Sequence, residues 1–275
     1  MTPLARRALT AAVLAPIVVA AVLWLPTWGF ALFFGVFALL GAWEWPVVAS
    51  LGGTWGAVFW LAVTVLLAIL AMAWMNPALW GAVMLAAISF WALAVVWVIQ
   101  AQHGDPPLGL SHPALRALAG CLILVPCWSA FVLLHARSPV LVLLVLILIW
   151  LADSAAYFAG RALGRRRLAS RISPGKSWEG VLGGLAAVVM AAWAAQASGI
   201  VPVNSPGALV LLCAVVAAVS VLGDLTESLF KRRAGVKDSG TLIPGHGGVL
   251  DRIDSLTAAA PVFASGWLTL GLELS

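Results

Sequence analysis

Hydrophobic positions run along this chain in long blocks, and polar positions are confined to short breaks between them. Nine blocks stand out, at about 8–25, 29–50, 55–75, 78–100, 114–134, 139–160, 178–199, 207–229 and 255–273. Each is close to the roughly 20 apolar residues that cross a bilayer as a helix. A helix is also the form in which a lone spanning segment satisfies its own backbone hydrogen bonds. The pattern therefore predicts an all-α integral membrane protein with about nine transmembrane helices. Composition closes off the alternative: 63% of residues are hydrophobic and 9% charged, with mean hydropathy +1.08. A soluble domain carries about 25% charged residues, so too little polar surface exists to cover a water-soluble globule.

The first block follows Arg6 and Arg7 and is longer than a signal peptide's apolar core, so it reads as an uncleaved first span. Trp24, Trp28, Trp43, Trp45, Trp55, Trp74, Trp80, Trp128 and Trp178 fall near block ends, where membrane-interface anchors are expected. Cys121, Cys127 and Cys213 lie inside apolar blocks. Three buried cysteines suit packing and not a disulfide framework.

Charge adds orientation. With the N-terminus inside and nine spans counted through, fourteen of the fifteen Lys and Arg residues fall on the inner side and only Arg137 falls outside. The positive-inside rule thus accounts for the net charge of +5, and no nucleic-acid partner is needed. Charge also divides the chain. Residues 1–150 hold two of the ten acids, Glu44 and Asp105, and four of the fifteen bases. The division reads as an N-terminal scaffold of about five spans, 1–137, and a catalytic membrane region of about four spans, 138–275. The latter carries cytoplasmic loops at 161–177 and 230–254.

Three constellations in the second half can carry chemistry. Asp153, Tyr157, Gly160 and Gly164 share one helix face. An acid in a span faces a polar cavity or a partner, and spaced glycines let helices approach; a packing face with one interfacial acid is the plainer alternative. Next, Gly175-Lys176-Ser177 resembles the end of a P-loop, but the first glycine would fall at Ser170 and a spanning context leaves no room for the preceding strand. A Gly/Ser turn with a lysine opening a helix still suits phosphate, and so does a bland helix start with positive-inside charge. Finally, Asp224, Glu227, Ser228 and Lys231 lie on one helix face. Two carboxylates at the membrane edge invite a cation. Lys231 to Asp238 is a basic loop, Pro244 to Gly248 is a glycine turn suited to gathering N–H groups on an oxyanion, and Asp251, Arg252 and Asp254 follow. Asp254 alone could be no more than a helix cap. Together these are the parts of magnesium-assisted phosphoryl or nucleotidyl transfer.

Ser228 to Asp254 reads SLFKRRAGVKDSGTLIPGHGGVLDRID. It resembles the signature of the phosphatidate cytidylyltransferases, or CDP-diacylglycerol synthases, at Ser228, Lys231, Arg232, Lys237, Asp238, Pro244, His246, Gly247, Gly248, Asp251, Arg252 and Asp254. Motif-level similarity extends over about 153–256. The resemblance implies condensation of CTP with phosphatidic acid to CDP-diacylglycerol and pyrophosphate. It also implies a bacterial-type inner membrane location with the site facing the cytoplasm, and it leaves a homodimer open. By similarity, Asp224 and Asp251 are first choices as Mg2+ ligands, with Asp254 and Glu227 weaker. Ser173, Lys176, Ser177, Ser228, Lys231, Arg232, Gly247, Gly248 and Arg252 are candidates for substrate binding. Lys237 is expected to meet an anionic substrate, and His246 to shape the phosphate turn. The competing readings are another polytopic CTP-using lipid enzyme, such as a polyprenol or phytol kinase or an ether-lipid synthase, and, more distantly, a transporter.

The charge asymmetry makes one test immediate. Single cysteines introduced in 161–177 or 230–254 should resist an impermeant thiol reagent in intact cells, and cysteines in 200–206 should react. External labelling of the 230–254 loop would contradict the orientation.

Overall fold

Several helices start where the sequence supplies a proline in the first turn or a side-chain partner for orphan N–H groups. Pro77, Pro113, Pro139 and Pro206 stand in the first turns of four helices, where a missing N–H costs nothing. Asn76, Ser138 and Ser177 accept hydrogen bonds from the first-turn N–H groups that follow them. The structure, a computed structural model, describes residues 3–73, 76–243 and 247–274, with side chains from Ala12 onward. Its described residues form nine helices: α1 Pro3–Trp24, α2 Thr27–Val48, α3 Gly53–Met72, α4 Pro77–His103, α5 Pro113–Arg137, α6 Pro139–Leu163, α7 Trp178–Ala197, α8 Pro206–Arg233 and α9 Leu250–Thr269. Among the described residues, α2 to α8 are each long and apolar enough to cross a membrane. The chain is an all-α integral membrane protein.

Three expectations need correction. Strands do occur in the 161–177 segment: β1 Arg167–Ala169 pairs antiparallel with β2 Ser173–Ser177. This short hairpin stands beyond the end of α6, where the chain has left the span. The ninth helix begins at Leu250 and not near 255, so Asp251 and Asp254 belong to its first turns and not to a loop. Likewise α8 runs to Arg233, which keeps Lys231 helical. Of the tryptophans read as interface anchors, Trp24, Trp28, Trp43, Trp55 and Trp178 are exposed, but Trp45, Trp80 and Trp128 are buried in the core. Trp45 and Trp128 donate their indole N–H groups to Arg116 O at 3.0 Å and Ala31 O at 2.8 Å, which removes the need for a wet interface. Trp74 lies outside the described residues.

The helices share one buried core drawn from both halves of the chain. α5 is central and packs against α2, α3, α4, α6 and α9. α6 packs along α7, and α8 along α9, which brings the cytoplasm-facing ends expected for α6, α8 and α9 together. Small residues set the α6–α7 distance. A Cβ at Gly180 or Gly184 would sit 2.8 Å from Ala156 O or Ala152 O, respectively, and one at Gly183 would run into Ala159 Cβ. The chain's three cysteines are free, with Cys127 and Cys213 buried.

Gly184→Val should therefore force α7 away from α6 and lower stability by about 1–3 kcal/mol, the usual cost of overpacking. Gly207→Ala, in α8 with nothing within 4 Å of the added Cβ, should not. Thermal aggregation of the detergent-solubilised protein measures both; equal melting of Gly184→Val and wild type would contradict the close approach.

Candidate active site

Four chain segments deliver charged side chains to one region: the end of α6, the β2–α7 junction, the end of α8 and the start of α9. Ser177 caps α7 by accepting from Gly180 N at 3.1 Å. Glu179, one turn on, accepts from the N–H groups of Arg165 and Arg166 at 3.1–3.2 Å. These bonds fix the hairpin on the helix and hold Lys176 at the mouth of a cavity of about 460 Å³. The cavity is lined by Asp153, Tyr157, Arg161, Arg167, Lys176 and Asp224, among others. Lys176 Nζ lies 2.6 Å from Asp224 Oδ2, and both side chains retain about a quarter of their exposure. Ser228 Oγ donates to Asp224 Oδ1 at 3.2 Å. Asp153 and Asp254 both interact electrostatically with Asp224 and with Lys176. Three carboxylates from three helices thus face one lysine.

A second charged cluster is buried beside it. Lys231 Nζ lies 2.6 Å from Asp251 Oδ1 and 3.0 Å from Glu227 Oε1, with all three side chains under 10% exposed. The other Asp251 oxygen accepts from Ser239 N at 2.9 Å, Ser239 Oγ at 3.0 Å and Gly248 N at 2.8 Å. Asp251 is saturated by the chain itself. Asp224 and Asp251, paired in the sequence reading, therefore belong to different clusters: Asp224 faces Lys176 on the first cavity, and Asp251 is held by Lys231 and the loop.

Backbone N–H groups at and just after the end of the glycine turn meet carboxylates of the protein. Gly248 N donates to Asp251, while Val249 N and Leu250 N donate to Glu44 Oε1 and Oε2 at 2.9 Å. Ser239 Oγ stands 2.9 Å from Glu44 Oε2 as well. Glu44, on α2, is 3% exposed. The two glycines are required by crowding. A Cβ at Gly247, where φ is 82°, would meet Asp251 Oδ2 at 2.6 Å, and one at Gly248 would run into Ser239 and Glu44. His246 lies outside the described residues.

The remaining candidates separate by their partners. Arg232 donates to Ile172 O at 3.3 Å and Val236 O at 3.4 Å, tying the end of α8 to the hairpin and to its own loop. Ser173 lies at the start of β2 opposite Ala169, outside the cavity lining. Lys237 and Arg252 are exposed and, among the described residues, their side chains make no hydrogen bond or ion pair. Asp254 Oδ1 accepts from Ser255 N at 2.7 Å and leaves its other oxygen uncommitted. The sequence singles out Asp153 for its intramembrane charge but gives it no specific role, and it gives Glu44 none. Glu44 had the same signal, as the one acid in an otherwise apolar block, but nothing local to reveal its partner about 200 residues away.

The donor set fits magnesium in one specific sense. Among the described residues no three His, Cys, Asp or Glu side chains are gathered to hold a metal by themselves. Mg2+ is usually bound by one or two carboxylates together with substrate phosphates and water, and not by an all-protein cage. Asp224 and Asp254, with Asp153 alongside, provide such a partial set beside a cavity rich in Lys and Arg.

The cavity thus combines acids with Arg161, Arg167 and Lys176 in a chain with several helices apolar enough to cross a membrane. The pattern of the Cytidylyltransferase family matches residues 5–268. The protein named phosphatidate cytidylyltransferase in Pseudomonas aeruginosa is 47% identical over 273 residues, covering 96% of this chain and 98% of the relative. Its namesake in Haemophilus influenzae is 42% identical over 285 residues, at 95% and 97% coverage, and that in Brucella suis 36% identical over 273 residues, at 94% and 92%. With the match running from the first helix to the last, the chain belongs to the cytidylyltransferase family.

Proposed function

We propose that the chain condenses CTP with phosphatidic acid to give CDP-diacylglycerol and pyrophosphate, a step of phospholipid biosynthesis. The observation that carries this reading is the cavity at Lys176 and Asp224, acidic on three helices and basic on its rim, in a chain that aligns over nearly its whole length with proteins named phosphatidate cytidylyltransferase. An oxygen of the phosphatidate phosphate attacks the α-phosphorus of CTP. A new P–O bond forms, the bond bridging the α- and β-phosphates breaks, and pyrophosphate leaves with the electron pair. The nucleophile is already an anion, so the chain need not supply a strong base. Its task is to bring two anions together and to meet the charge of the leaving group.

Lys176, Arg161 and Arg167 are the side chains suited to the triphosphate. Asp224 and Asp254, with Asp153, are those that would hold Mg2+, which when bound neutralises phosphate charge and favours departure of pyrophosphate. Asp251 orients Lys231 and fastens the signature loop. Preference for cytosine rests on the family. The site faces the cytoplasm in this reading, because the basic residues gather at one membrane edge and CTP is a cytoplasmic nucleotide.

Purified protein in mixed micelles with phosphatidate, CTP and Mg2+ should form CDP-lipid and pyrophosphate in equal amounts. ATP, GTP or UTP should support a rate lower by about tenfold or more, equivalent to about 1.4 kcal/mol. A phosphorylated lipid with free CDP as the products would overturn the assignment in favour of a kinase.

The two aspartates should fail differently. Asp224→Asn should lower turnover by about 100-fold or more, equivalent to about 2.7 kcal/mol, with melting near that of wild type, since its carboxylate is partly solvated. Asp251→Asn should lose activity and stability together, because breaking a buried ion pair costs about 3–5 kcal/mol. Turnover and thermal melting, read on the same preparations, distinguish them. Unchanged melting in Asp251→Asn would remove its role as a fastener.

A further inference from the structure

A second cavity, of about 470 Å³, lies on the other side of Asp153. Its volume is within the roughly 300–1,000 Å³ range of small-molecule sites. Most of its wall is apolar and comes from helices that contribute nothing to the first cavity: Val18 of α1 and Phe34 and Phe37 of α2, joined by Leu146 and Trp150 of α6. Its other end is charged, with the carboxylates of Asp153, Asp251 and Asp254 and the guanidinium of Arg252. Asp153 lines both spaces, so the two share a wall at the carboxylate cluster.

We infer that this second cavity holds an acyl chain of phosphatidic acid, with the lipid phosphate at Arg252, and that α1, α2 and α6 set which chains are accepted. The inference rests on the proposed reaction and divides its site between the two substrates. Three features commit it to an amphipathic monophosphate. The apolar wall is extended and leads to an end where one guanidinium stands among three carboxylates, whereas the first cavity offers Arg161, Arg167 and Lys176 and suits a triphosphate. Among the described residues Arg252 is the one cation on the second cavity's lining; its guanidinium acts on Asp153 electrostatically but forms no ion pair, which leaves its donors for phosphate oxygens, which a guanidinium meets in bidentate fashion. Trp150 is 40% exposed on the outer surface of α6, which puts the cavity rim where bilayer lipid stands. Among the described residues, a nucleotide would find no second cation here for its phosphates.

The arrangement also gives the N-terminal helices a part in the chemistry. Among the described residues, α1 and α2 carry no acid or base to the reaction cavity, yet they wall the space beside it. A lipid seated there would present its phosphate at Arg252, across Asp153 from the nucleotide. Side chains that narrow the cavity should therefore penalise long acyl chains more than short ones, while the affinity for CTP is set elsewhere.

The test is a chain-length competition in mixed micelles, using long-chain and short-chain phosphatidates with CTP and Mg2+. Val18→Trp narrows the wall, and Ala15→Phe, on the same lining, is a second variant should the first not fold. Leu61→Trp, on an exposed face of α3, is the control. The long-to-short ratio of kcat/KM should drop about tenfold or more in a cavity variant and hold at the wild-type value in the control. Arg252→Gln should raise KM for phosphatidate and leave KM for CTP unaltered. An unchanged chain-length ratio in folded Val18→Trp and Ala15→Phe, or a rise in KM for CTP with Arg252→Gln, would overturn the assignment. CDP-lipid formation by the wild type in the same assay separates this outcome from failure of the reaction itself. If the wild type forms none, the proposed function falls, and the division of its site with it.

Discussion

The carboxylate of Glu44, buried on α2 beneath the start of α9, is the constraint on which the rest of the site depends. The first N–H groups of a helix have no intrahelical partner, and no side chain caps α9 from its own N-cap position. Glu44 fills that role from across the fold by accepting from Val249 and Leu250, with the favourable end of the helix dipole facing its charge. Asp251 faces it from the other side. The Ser239 hydroxyl stands between the two carboxylates, 2.9 Å from one and 3.0 Å from the other. It has one proton to donate, so the two acceptors share it. The loop from Ser239 to Val249 is thereby clasped at both ends. This clasp fixes where Asp251 meets Lys231 and where α9 presents Asp254 to Asp224. It also explains two glycines of the signature by crowding against carboxylates, with no need for direct contact with substrate.

Two clusters of similar composition then divide the labour by solvation. Lys231 with Glu227 and Asp251 is buried, and a buried charge that loses its partner is costly; such a cluster holds shape. Lys176 with Asp224 lines a cavity and keeps access to solvent. An incoming polyanion can compete for that lysine and a cation for that carboxylate. The same residue types thus differ in solvent access along one face of α8: Asp224 lines the cavity, while Glu227 and Lys231 are buried.

Much of this was legible in the sequence, because a bilayer imposes length. Eight of the nine blocks match helices to within a few residues at most ends, and the exceptions have physical causes. α9 starts early because Asp251, Arg252 and Asp254 look like loop to any hydropathy reading, while their partners Lys231, Ser239 and Asp224 come from elsewhere. The hairpin at Arg167 to Ser177 is too short and too polar to announce itself. Trp45 and Trp128 were read as anchors because the sequence does not reveal the carbonyls that receive their N–H groups. Lys176, Asp224, Asp251 and Arg252 could be named as a set, but not sorted, since sorting depends on which lysine reaches which acid. Glu44 was visible as an anomaly in an apolar span and nothing more; its three donors lie about 200 residues away.

The central claim is that the nucleotide's α-phosphate, not its γ-phosphate, goes to the lipid. Incubating the purified protein and phosphatidate with CTP radiolabelled either at the α- or at the γ-phosphate, then extracting the lipid, decides it. Label from the α-position should appear in the organic phase and label from the γ-position should remain in water as pyrophosphate. Recovery of γ-label in the lipid would contradict cytidylyl transfer and make the protein a kinase.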